Sequence, residues 1–121
     1  MREVYDMQAY VLVRVLEVRA GQSTQELEAL ARSGLLEMQR WIEGVEQVSL
    51  VHLGGEPARY TLTMNFRDRE AYIGWRRVEE EGADYWERYA SVQLHWDELC
   101  REVQRWEGEQ VFAERIASET G

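Results

Sequence analysis

The chain has no lysine, a single cysteine (Cys100), a single proline (Pro57) and no long apolar run. Each lack removes a class of chemistry. All 14 basic residues are arginine, so neither a Schiff-base lysine nor a phosphate-loop lysine is available. One cysteine excludes an internal disulfide framework and any cysteine-rich zinc site. No stretch is apolar for long enough to span a membrane. The opening MREVYDMQ has no signal-peptide apolar region, so the expected location is the cytoplasm. Positive charge is also scarce. The formal net charge is −9, which argues against partners bound through phosphate, whether nucleic acid or an anionic membrane surface. What remains is 121 residues, 45% of them hydrophobic. That is one domain with enough apolar mass for a core.

The stretch Tyr60–Trp75, YTLTMNFRDREAYIGW, organises the rest. Tyr60, Leu62, Met64 and Phe66 alternate with Thr61, Thr63 and Asn65, the period of a strand with one apolar face. Asp68 then caps a helix on which Ala71, Tyr72, Trp75 and Val78 share a side. Upstream, Met7–Val18 reads as a strand apolar on both faces, with Val11, Val13 and Val15 on one and Tyr10, Leu12 and Leu16 on the other. Ser23-Thr24-Gln25-Glu26 is a capping box opening a helix to about Glu43, which Gly44 stops. Val45–Leu53 is a second strand with Val48, Leu50 and His52 on one face, and Gly54-Gly55-Glu56-Pro57 turns it back. After a weak point at Glu79–Gly82, a longer helix is expected from Asp84 to about Trp106. Its seam is Tyr85, Tyr89, Val92, Trp96, Leu99, Val103 and Trp106, spaced as a heptad and suited to an interface. Glu109–Ile116 fits strand or helix equally.

The order is strand, helix, strand, strand, helix, helix and a possible last strand. This is a βαββαβ, ferredoxin-like α+β plan with an antiparallel sheet. Helices would cover one face of that sheet. The two-sided first strand calls for a second copy of the chain on the other, a homodimer through the sheet face.

On the valine-rich opening strand, the Gly44-Val45 junction and Phe66-x-Asp68-x-Glu70-Ala71-Tyr72-x-x-Trp75, the chain resembles the dimeric α+β barrel superfamily, in particular its antibiotic-biosynthesis-monooxygenase-like branch. The resemblance covers roughly residues 7–116 as a plan. It implies a small pocket for an apolar or aromatic metabolite, no cofactor, and a cofactor-independent monooxygenase as one possible activity. Haem-degrading members place an asparagine on the first strand, a tryptophan early in the second helix and a histidine beyond it. Trp75 matches the tryptophan, but the first strand lacks asparagine and Tyr85 stands where histidine is needed. Asn65, Tyr72, Trp75 and Tyr60 supply the residue types of the cofactor-free oxygenases.

Each candidate has a plainer reading beside it. Trp75 and Tyr72 line a pocket or fill the core. His52, on an apolar strand face, is a general base or a sheet-edge histidine. Asn65 faces away from the apolar set of its strand. His95 and Glu98, at i and i+3, are a two-ligand metal candidate, too few without a second pair. Cys100 reads as an inert buried thiol, and the runs at Glu79–Glu81 and Glu107–Glu109 as solvated surface. The competing functions are an oxygenase, a non-catalytic ligand-binding or regulatory module of the same fold, and a haem protein.

Overall fold

The structure, a computed structural model, describes residues 8–116. Four strands form one antiparallel sheet in the order β2-β3-β1-β4, with β1 at Tyr10–Val18, β2 at Val45–Gly54, β3 at Arg59–Phe66 and β4 at Cys100–Glu109. The helices are α1 (Thr24–Leu30), α2 (Leu36–Arg40), α3 (Arg69–Glu81) and α4 (Ala83–Leu99). All lie on one face of the sheet, as the ferredoxin-like α+β plan requires.

The alternation of β3 decides which face is covered. Tyr60, Leu62, Met64 and Phe66 are all buried. They pair in register with His52, Leu50, Val48 and Val45 of β2, and with Leu16, Arg14, Leu12 and Tyr10 of β1. Leu12, Leu16 and Val18 are buried beside them. Thr61, Thr63 and Asn65 therefore share the opposite face with Val11, Val13 and Val15. Trp106 and Val51, each half exposed, extend that open face on both sides. An apolar strip on an uncovered sheet face marks an interaction surface.

The local signals act as their chemistry dictates. Ser23 Oγ accepts from the Glu26 amide at 3.1 Å and starts α1. Asp68 Oδ1 accepts from the Ala71 amide at 2.8 Å and starts α3. Gly44, at φ +95°, turns the chain into β2. A Cβ there would lie 2.5 Å from Cβ of Ala71, so the turn demands glycine on conformation and on space.

Two expectations need correction. The first helical segment is not one regular α-helix. A π-helical turn, Ala31–Leu35, separates α1 from α2. Ser33 Oγ donates to the carbonyl of Ala29 at 3.0 Å, the back-bonding that bends helices. Gly34 there meets Val92 of α4 so closely that a Cβ would lie 2.7 Å from its Cγ1.

The second correction is larger. The heptad-spaced helix ends at Leu99, and Cys100–Glu109 is β4, paired along the whole of β1. Val103 and Trp106 are strand residues. Without β4, the outer edge of β1 would leave its backbone groups unpaired, and that tertiary demand overrides a helical spacing. The last strand thus ends at Glu109, and residues 110–116 are neither strand nor helix. Among the described residues no helix is long and apolar enough to cross a membrane.

Candidate functional site

Trp75 is packed among core aromatics, and with Tyr72 it lines one side of a crevice of about 400 Å³. The residue is 2% exposed, with Phe66 and Tyr72 rings 5.6 and 6.0 Å away. Its indole Nε1 donates to Oε1 of Gln39 at 2.9 Å. Gln39 is itself buried, so each satisfies the other.

Tyr72 is buried with its hydroxyl directed outward, donating to Glu107 Oε1 at 2.6 Å. Tyr10 donates to Oε2 of the same carboxylate at 2.8 Å. These two bonds hold the Glu107 carboxyl below its usual range. Burial, then the Glu107 carboxylate, pushes the Tyr72 phenol up to about 12. The crevice beside it is polar, with Arg76, Glu79 and Arg105. Burial raises the Glu79 carboxyl, and Tyr85 donates to it at 3.3 Å. Arg76 donates to Glu80 and Arg105 to Glu102, so the charges at this crevice already have partners.

Asn65 lies on the open sheet face, in register with Val11 and Gln47, on the far side of the sheet from Trp75 and Tyr72. His95 Nε2 lies 2.7 Å from Glu26 Oε2, joining α4 to α1, while Glu98 is exposed. No group of three or more metal-ligating side chains occurs among the described residues.

His52 has the most suggestive surroundings. A cleft of about 350 Å³ lies between the α1–α2 segment and strands β2 and β3. Leu35, Leu36, Val48, Leu50 and Leu62 make its apolar wall. Its polar end brings together His52, Tyr60, Glu28 and Arg32. The His52 ring stacks on Tyr60 at 4.6 Å and 12°. The Tyr60 hydroxyl donates to Glu28 Oε2 at 2.5 Å. Burial first, and then the Glu28 carboxylate, pushes the Tyr60 phenol up to about 12, so near neutral pH it stays a protonated donor. Apolar walls with a few convergent polar groups are the usual form of a small-molecule site.

Strand alternation alone brings His52 and Tyr60 to the same face. Glu28 and Arg32 carried no signal in the sequence. Arg32 reaches the cleft because the π-helical turn contributes Ala31, Arg32 and Leu35 to its wall, while Glu28 comes from α1 just before it, and π-helical turns frequently mark functional positions.

No family model matches the chain, and no curated protein matches it. Solved structures do. HapK from Hahella chejuensis superimposes with a TM-score of 0.66 at 12% identity, over 90% of this chain and 99% of that one. SnoaB from Streptomyces nogalater, a cofactor-independent oxygenase, gives 0.61 at 12% identity, over 93% and 98%. A dimeric ferredoxin-like protein from an uncultured marine organism gives 0.61 at 15% identity, over 93% and 96%. The chain thus shares its ferredoxin-like fold with these proteins and with two structures described as antibiotic biosynthesis monooxygenases, from Bacillus cereus and Chloroflexus aurantiacus. At these identities the likeness is one of fold, and the site must be argued from its own residues.

Proposed function

We propose that the protein is a single-domain homodimer, joined through its open sheet face, whose His52–Tyr60 cleft binds a small aromatic or apolar metabolite and oxidises it with O2 without a cofactor. The observation that carries this reading is the convergence of His52, Tyr60 and Glu28 at one end of an apolar cleft. In cofactor-free oxygenation the substrate supplies all the electrons. A ring CH2 flanking a phenol becomes a carbonyl, one atom of O2 enters that carbonyl, and the other leaves as water. The step that needs the protein is removal of a proton to give an electron-rich anion that reduces O2. The His52 imidazole at the polar end is the group suited to take that proton. Tyr60, fixed by Glu28, orients the substrate from the other side of the stack. SnoaB, which shares the fold, is a cofactor-independent oxygenase.

Oxygen uptake with a panel of naphthols and polyketide-like anthrones tests this. Uptake is expected, and His52→Gln is expected to lower kcat by at least roughly a hundredfold, the usual contribution of a positioned base. Binding of the panel with no oxygen uptake would instead support a ligand-binding module. The exposure of His52 on an edge strand favours that second reading.

A further inference from the structure

The two charged side chains of the cleft are unequal. Glu28 is two-thirds covered, whereas Arg32 is 78% exposed, and their closest approach is 4.0 Å. A pair of that length with one solvated partner leaves the carboxylate largely uncompensated. The one hydroxyl proton of Tyr60 is committed to Glu28. A ligand arriving at this end meets the second Glu28 oxygen, the lone pairs of the Tyr60 oxygen and the imidazole of His52. Apart from the solvated Arg32 guanidinium on the lip, these groups are mainly acceptors. The net charge of −9 adds a field of the same sign.

Resting on the reading of the cleft as a ligand site, we propose that it selects by charge. It takes neutral aromatic molecules that present a hydroxyl or amino donor to Glu28, and it rejects the same skeleton carrying a carboxylate. A carboxylate placed there would lose water and face Glu28, with only solvated Arg32 to receive it. A hydroxyl in that position finds an acceptor already fixed.

Calorimetric titration of 2-naphthol against 2-naphthoate tests the idea on one ring system. The wild type is expected to bind the naphthol at least about tenfold more tightly. Glu28→Gln removes the charge and adds an amide donor at the same size. It is expected to strengthen naphthoate binding by about tenfold or more and to weaken naphthol, whose hydroxyl then meets a neutral acceptor, so that the preference for naphthol is lost. Arg32→Gln, on the exposed lip, provides a variant with little to lose in folding, and it is expected to weaken naphthoate by a larger factor than naphthol. Equal binding of the two compounds, or an unchanged ratio in Glu28→Gln, overturns charge selection and leaves the cleft reading standing. Failure of the wild type to bind either compound overturns both.

Discussion

Val13→Asp is expected to convert the protein from a dimer to a monomer. Val13 lies mid-strand on β1, in register with Thr63 on one side and Trp106 on the other. All three belong to the face the helices do not cover. A sheet of four strands with helices on one side leaves this apolar strip to water in a lone chain. In the proposed homodimer a second copy related by two-fold symmetry would cover it with the same strip. An aspartate there would be an unpaired charge inside the interface, at a cost of several kcal/mol per subunit. Each 1.4 kcal/mol is a tenfold change in affinity, so the dissociation constant is expected to rise at least about a thousandfold. Light scattering should then report a mass near 14.3 kDa in place of twice that value. Because the helix-side core is untouched, the monomer should keep its near-ultraviolet circular dichroism. A variant that remains dimeric would place the interface elsewhere.

The second large effect concerns Trp75. Trp75→Ala is expected to destabilise the fold by about 3–5 kcal/mol, the range for emptying a buried aromatic position. The loss also strands the buried Gln39 amide, whose oxygen accepts from the indole. For a domain of this size the melting temperature should fall by roughly 10–20 °C. Trp75→Phe keeps most of the volume and is expected to bind 2-naphthol as the wild type does. A stable Trp75→Phe variant with abolished naphthol binding would return the site to Trp75.

The βαββαβ plan was legible because its signals are local. The alternation of Tyr60–Phe66, the caps Ser23 and Asp68, and Gly44 each specify structure within a few residues of themselves. The end of α4 was not legible for the converse reason. No glycine or proline marks Leu99-Cys100, and the spacing Leu99, Val103, Trp106 continues a helical seam. Only the unpaired edge of β1, some 90 residues away in sequence, makes that segment a strand.

The site was legible in part for the same reason. Strand period puts Val48, Leu50 and His52 on one face and Tyr60 and Leu62 on the facing strand. Nothing local indicates that Glu28 closes the cleft, since its role depends on where the helix lies over β3 and on the π-helical turn at Ala31–Leu35. Trp75 and Tyr72 drew attention as aromatics at helical spacing. In the fold they occupy the other half of the core, with Tyr10, Phe66 and Tyr85.

The central claim is that ligands enter between α1–α2 and β2–β3. The most direct measurement is an NMR titration of the isotope-labelled protein with 2-naphthol. Shifts are expected in the His52 ring and the Leu35, Leu36 and Leu50 methyls, with the Trp75 indole N–H unmoved. Shifts confined to Trp75 and Tyr72, or to Asn65 on the open sheet face, would contradict it.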